Sequence, residues 1–182
     1  MRPVSIRQLS TRAVYQNPWM RVREDEIERA DGSTGIYGVV EKPDFALIIP
    51  RDRDGGLWLV EQYRYPVADR FWEFPQGSWE QQPDADSAAL ARGELQEETG
   101  LKAESLDHLG HLYEAYGYCT QGFDVWLATD LEQTPTYRHV EEQDMRVRKV
   151  TRDDWEAMLR AGEVKDAPSI AAYGLLLLNE KP

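Results

Sequence analysis

The amino-acid sequence predicts an α/β protein: a mixed central sheet covered by helices in an α/β/α sandwich, preceded by a small N-terminal β segment. Three observations predict this class. Short apolar runs bounded by turn signals fill the chain as far as Phe74; helical spacing is confined to stretches starting near Asp86, Thr151 and Ser169; and strand patterns return between those helices. The 182 residues suit one domain with an N-terminal appendage, divided as 1–42 and 43–182. A chain of this length buries about two-thirds of its unfolded surface, so it needs neither metal nor disulfide to fold.

Thr11 to Ile27 carries spaced apolar residues (Val14, Tyr15, Trp19, Val22, Ile27) and reads as two short strands broken near Asn17-Pro18. Asp31-Gly32 is a turn signal, and Gly35 to Val40 is the strand beyond it. Phe45 to Ile49 is a compact apolar run, as a buried strand requires. The polar, glycine-rich turn Arg51 to Gly56 then makes Leu57 to Tyr63 its hairpin partner. Tyr65 to Arg70 reads as loop, Phe71 to Phe74 as a short aromatic strand ended by Pro75, and Gln76 to Asp84 as loop. Ala88, Ala91 and Leu95 share one helical face, so a helix is predicted from about Asp86 to Thr99, stopped by Gly100. Ser105 to Tyr113 and Phe123 to Ala128 read as strands, Thr129 to Glu142 as mostly loop, and Met145 to Val150 as strand. Thr151 with Asp154 resembles a capping box opening a helix to about Leu159, ended by Gly162. A last helix covers about Ser169 to Asn179, and the sequence has no internal repeats.

The formal charge of −12 disfavours DNA and RNA backbones as partners. It does not exclude a small anionic substrate, because a bound divalent cation and a few placed arginines reverse the local field. Cys119 is the lone cysteine, so no intrachain disulfide forms, and a reducing compartment, the cytoplasm, is expected. The first ten residues lack the apolar core of a signal peptide. The apolar run Leu175 to Leu178 is far short of the roughly 20 residues that span a membrane.

The sharpest local feature is Glu94-Leu95-Gln96-Glu97-Glu98. Glu94 and Glu98 lie one helical turn apart with Glu97 on the flank, so all three carboxylates can point into one small volume. Like charges at that spacing oppose one another by a few tenths of a kcal/mol when exposed, and by more when buried. A divalent cation removes that penalty and takes the carboxylates as hard oxygen ligands. Ala88, Ala91 and Leu95 form an adjacent apolar face that lets the helix lie close to a sheet, giving a rigid support. Spacing alone leaves two readings open: a cation site, or an acidic helix edge facing water.

Gly77, followed by Arg92-Gly93-Glu94-Leu95-Gln96-Glu97-Glu98-Thr99-Gly100-Leu101, resembles the Nudix box, G-x5-E-x7-R-E-U-x-E-E-x-G-U with U aliphatic. Glu94, Leu95, Glu97, Glu98, Gly100 and Leu101 all fall in place, and Trp72-Glu73-Phe74-Pro75-Gln76-Gly77 looks like the family's W-E-x-P-x-G approach to the box. The resemblance implies a Nudix fold. It also implies that Glu94, Glu97 and Glu98 bind catalytic metals, together with the carbonyl of Gln76 just before the box glycine Gly77. The chain departs from the pattern in three places. Gly77 to Gly100 is two residues longer than the standard spacing, Gly93 stands where the box has arginine, and Ala85 where it has its first glutamate. Those two positions form a salt bridge in the family. Losing both leaves neither charge unpaired, and Glu80 or Asp84 are alternative partners for Arg92. Gly93 inside a helix costs about 1 kcal/mol against alanine and marks a point of close packing.

Val60-Glu61-Gln62-Tyr63-Arg64-Tyr65-Pro66 and the tail Gly162 to Ala172 resemble the ADP-ribose pyrophosphatase and nucleoside diphosphate sugar hydrolase group. That resemblance implies Mg²⁺ (or Mn²⁺) as cofactor and a nucleoside diphosphate sugar, ADP-ribose or another ADP-sugar, as substrate. It also implies a homodimer with the N-terminal segment at its interface. The loop Tyr116 to Asp124 lacks the group's proline-glycine-acid pattern, which leaves the base and sugar open. In the implied chemistry water attacks phosphorus and a nucleoside monophosphate leaves. Glu142 is the first choice for a general base and Glu141 the second, the alternative being a plain acidic turn. Arg64, whose planar fork fits phosphate oxygens, is the candidate phosphate partner, with Arg70 a weaker one. Glu73 is a candidate metal or ribose contact, or a partner for the loop. Trp79 is a candidate surface for stacking a purine, with Trp19 the other tryptophan in a loop context. Trp58, Trp72 and Trp126 alternate in strand patterns and read as core, while His108, His111 and His139 have no metal spacing. Two further functions compete: a 5′-RNA or dinucleoside polyphosphate pyrophosphohydrolase, and a non-catalytic nucleotide-sensing module. The first is disfavoured by charge and the second by the intact carboxylates.

Overall fold

The computed structural model describes residues 5–79, 86–135 and 144–180. An antiparallel meander comes first: β1 (Ile6–Gln16), β2 (Arg21–Arg29) and β3 (Thr34–Glu41). A four-stranded sheet follows in the order β7 (Gln76–Gly77), β4 (Phe45–Pro50), β9 (Gly122–Gln133), β8 (Leu101–Tyr113). It is mixed, because β4 and β9 run parallel while the other pairs are antiparallel. A third sheet, antiparallel, has the order β10 (Arg146–Val150), β5 (Leu57–Arg64), β6 (Asp69–Glu73). Helix α1 (Ser87–Thr99) covers one face of the four-stranded sheet, and α2 (Arg152–Ala161) and α3 (Ala167–Asn179) lie on the other side. This is the α/β sandwich with a mixed central sheet and an added N-terminal β unit that the sequence predicts.

Strand β4 explains the layering. All of its residues are buried, and successive side chains point to opposite faces. Phe45, Leu47 and Ile49 enter the core shared with β5, β9, α2 and α3, whereas Ala46 and Ile48 enter the core shared with α1 and β8. Ala46 and Ala91 are small, so α1 approaches the sheet closely around Leu90 and Leu95. In the larger core Phe74 stacks on Trp155 at 4.6 Å, Trp155 meets Tyr173 edge-on at 5.6 Å, and Phe45 stacks on Phe123 at 4.7 Å. Trp58, Trp72 and Trp126 pack against these cores, each partly buried. Fully burying Phe74 contributes about 2–3 kcal/mol, and it does so two residues before Gln76.

The helix ends follow local chemistry. Asp86 caps α1 by accepting from the Ala89 N–H at 3.0 Å, and Gly100 ends it at φ 72°. Thr151 and Asp154 form the capping box of α2, and Gly162 closes that helix. Asp166 caps α3, which starts two residues earlier than its apolar spacing suggests because Ala167-Pro168 fits a first turn. We expect Thr151→Ala to lower stability by about 1 kcal/mol in urea unfolding, since one helix N–H loses its acceptor.

Two sequence expectations are corrected. Leu57 to Tyr63 is not the hairpin partner of Phe45 to Ile49. The turn forms, with Asp52 N–H donating to Gly56 O at 2.8 Å, but β5 pairs with β6 and β10 while β4 is taken by β9 and β7. The mostly-loop reading from Thr129 also fails at its start. Strand β9 continues to Gln133, because Leu101 to Ser105 at the exit of α1 supplies it with a partner and Leu131 packs on the α1-side core.

The first sheet buries Asp25 and Ile27, while β1 is exposed along its whole length. Arg23 holds Asp25 and Glu41. Its apolar side chains Ile6, Leu9, Val14, Tyr15 and Ile36 face solvent in the single chain. β3 is stitched to the loop after β8: Val40 N–H donates to Tyr118 O at 2.8 Å, and Thr120 N–H donates to Val40 O at 2.9 Å. Among the described residues no helix is long and apolar enough to cross a membrane.

Candidate active site

The site forms where α1 passes the short segment Phe74 to Trp79. That segment is anchored before it reaches the helix. Phe74 is buried on Trp155, its N–H donates to Ser169 Oγ at 2.9 Å, and Ile48 N–H donates to Pro75 O at 2.9 Å. Gln76 and Gly77 then pair with Leu47 and Ala46. The Gln76 N–H donates to Glu98 Oε2 at 3.1 Å, and its side-chain amide donates to Asp166 Oδ2 at 3.2 Å. The Glu94 carboxylate lies against Gly77, where any Cβ would meet its carbon and both oxygens. A side chain at this position would have to displace that carboxylate.

Glu98 is 1% exposed and Glu94 6%, which decides against a plain solvated edge for these two. Glu97, half-buried, sits on the same helix. Beside them Arg64 grips Glu73 through Nη2 and Nε, at 2.5 and 3.2 Å, and Gln62 donates to the same carboxylate at 2.7 Å. The pair is lopsided. Burial pushes the Glu73 carboxyl above its ordinary range, Arg64 opposes that shift, and the negative charge of Asp166 adds to it. For Arg64 burial works against the charge, but Glu73, and behind it Asp166 and Glu98, outweigh this and raise its pKa.

The expected residues are thus placed as follows. Arg64, Glu73, Gln76, Gly77, Glu94 and Glu98 come together. Arg70 points elsewhere: it pairs with Glu61 at 3.0 Å and with the Asp144 carboxylate at 2.5 Å, tying β6 to the start of β10. Arg92 donates to Ala103 O at 2.6 Å. Its alternative partners Glu80 and Asp84, and both general-base candidates Glu141 and Glu142, lie outside the described residues. So does His139, whereas Trp19 lies exposed beside the first sheet. The Trp79 ring lies on Gly93 and packs on the α1-side core. His108 and His111 both turn to one oxygen of Asp124, at 2.9 and 3.2 Å. Asp166 and Ser169 were not singled out by sequence reasoning, yet they hold Gln76 and Phe74. The signal was Asp166-Ala167-Pro168-Ser169, an N-cap aspartate with its N3 serine.

Among the described residues no three His, Cys, Asp or Glu side chains stand close enough together to hold an ion. The donors nevertheless fit a divalent metal in kind. Buried carboxylates from one rigid helix face a backbone segment in which Gly77 leaves room only because it has no side chain. Their hard oxygens suit Mg²⁺ rather than a thiophilic metal.

Comparison with known proteins shows the family. The model of the NUDIX domain matches residues 41–172, well over half of the chain, which therefore belongs to the Nudix family and is a pyrophosphohydrolase of nucleotide-derived substrates. A second model, the nucleoside diphosphate sugar hydrolase N-terminal domain, matches residues 6–40. Among individual relatives, the ADP-ribose pyrophosphatase of Bacillus subtilis is 24% identical over 181 residues, covering 99% of this chain and 97% of its own. The ADP-ribose pyrophosphatase of Mycobacterium tuberculosis is 29% identical over 173 residues, covering 94% and 82%. A solved structure described as "Crystal structure of ADP compounds hydrolase" superposes with a TM-score of 0.84 at 20% identity over 95% of this chain and 92% of that one, a likeness of fold.

Proposed function

We propose that the chain hydrolyses the pyrophosphate bond of a nucleoside diphosphate sugar, ADP-ribose or another ADP-sugar, releasing a nucleoside monophosphate and a sugar phosphate. The observation that carries this is the convergence of Glu94 and Glu98 on the Gln76–Gly77 segment with Arg64 alongside. The base and sugar are suggested by the two ADP-ribose pyrophosphatases among the relatives. Glu94, Glu97, Glu98 and the Gln76 carbonyl would hold Mg²⁺, with Mn²⁺ able to replace it. Such an ion supplies neutralisation of the pyrophosphate oxygens and a more acidic water. The chain's own groups do the rest. Arg64 exchanges Glu73 for a substrate phosphate, and Glu73 stays within reach of a ribose or an ion. Glu142, or Glu141 next to it, takes the proton of the attacking water.

Residues 1–42 act in this proposal as the dimerisation element of the domain formed by 43–182. The exposed apolar side chains of the first sheet support that assignment. The lone Cys119 supports a cytoplasmic location.

The test is a panel of ADP-ribose, ADP-glucose, GDP-mannose, UDP-glucose, NADH, diadenosine polyphosphates, 8-oxo-dGTP and triphosphorylated RNA with Mg²⁺. We expect AMP and ribose 5-phosphate from ADP-ribose at the highest kcat/KM. Preferential release of pyrophosphate from RNA would overturn the assignment.

A further inference from the structure

Helix α1 and the loop beside it interlock at two glycines, each filled by a side chain from the opposite element. Glu94 on the helix lays its carboxylate over Gly77 on the loop. Trp79, two residues further along the loop, lays its ring over Gly93, the helix residue just before Glu94. A methyl at Gly93 would stand 2.7 Å from Trp79 Cζ2. A mid-helix glycine costs about 1 kcal/mol against alanine, and here the vacated space holds an indole.

From this reciprocal contact we infer that Trp79 and Gly93 form a packing lock setting the position of the Gln76–Gly77 segment against Glu94 and Glu98, so that Trp79 is a positioning residue for metal binding. The inference rests on the metal role proposed above. Ligands from a helix and a loop converge on one ion only if both are held to within about 0.5 Å. The bonds from Phe74 and Gln76 hold the segment before Gly77, and the indole holds it after Gly77. The lock works through dispersion and shape rather than charge, so salt does not loosen it.

The experiment measures Mn²⁺ binding without substrate, from the free-ion EPR signal, alongside melting temperature and the KM and kcat of ADP-ribose hydrolysis. Trp79→Ala should weaken Mn²⁺ binding about tenfold or more, the scale of lost support around a metal site. Trp79→Phe should restore most of it. Gly93→Ala should weaken it too, and the double variant should be no worse than Trp79→Ala, because the methyl no longer meets a ring. Should Trp79→Ala not fold, Gly93→Ala carries the same expectation. Mn²⁺ affinity unchanged in the single variants, with only the melting temperature lowered, overturns the lock, as do effects that multiply in the double variant. Glu98→Gln run in parallel separates the two layers: if it weakens Mn²⁺ binding and the lock variants do not, the lock alone falls; if it too has no effect, the metal reading falls with it.

Discussion

Glu98→Gln is expected to lower turnover about a thousandfold, the loss of some 4 kcal/mol of charge stabilisation in the transition state. The side chain is the same size, and its amide oxygen can still accept from the Gln76 N–H that Glu98 binds at 3.1 Å. The cost should therefore fall on chemistry rather than on folding. The measurement is kcat at saturating Mg²⁺ together with a circular-dichroism melt. Wild-type turnover in a folded variant would remove Glu98 from the site.

Arg64→Ala is expected to act twice. It removes the proposed phosphate partner, so KM for ADP-ribose should rise by one to two orders of magnitude, roughly the 1.5–3 kcal/mol of a charged hydrogen bond. It also leaves Glu73, 1% exposed, with Gln62 as its remaining described hydrogen-bond donor. Breaking a buried pair costs about 3–5 kcal/mol. The Arg64 side chain is 41% exposed, so solvent screening reduces this to about 2 kcal/mol. The pH dependence has a definite sign. The Glu73 carboxyl is already raised by burial and would rise further without Arg64. Below the ordinary glutamate range it is protonated in both folded and unfolded chains, so the variant loses little there. As pH climbs through the raised value toward neutrality, holding the ionised group in the fold becomes costly and the gap to wild type widens. Urea unfolding at acid and at neutral pH measures that gap. Equal gaps would mean that Glu73 does not depend on Arg64.

How much was legible in advance follows from the range of the forces involved. The ends of α1 and α2 could be read because Asp86, Gly100, Thr151, Asp154 and Gly162 act on backbone a few residues away. The carboxylate turn was equally local. The pairing of β4 with β9 was not, because it joins Phe45 to Phe123 across the chain and no turn announces it. Trp155 heads the larger core, although its helix could have been read for an apolar face from Trp155, Met158 and Leu159. Gly93 was legible as a gap but not its occupant, since the loop residue that fills it depends on a path set elsewhere. Asp166 was passed over as a cap because the last helix was read from Ser169, and its grip on Gln76 required α3 to be seen against β7.

The double commitment of β4 bears on how such an enzyme can diversify. Phe45, Leu47 and Ile49 belong to one packed layer and Ala46 and Ile48 to the other, so neither core can be remodelled without disturbing its neighbour. An altered volume at Ile48, under helix α1, moves a strand whose reverse face supports Trp155 and Tyr173. Evolutionary drift toward new substrates is thereby steered away from the interior and onto the surface, where side chains such as Tyr65, Tyr116 and Tyr118 project into solvent and can be exchanged one at a time.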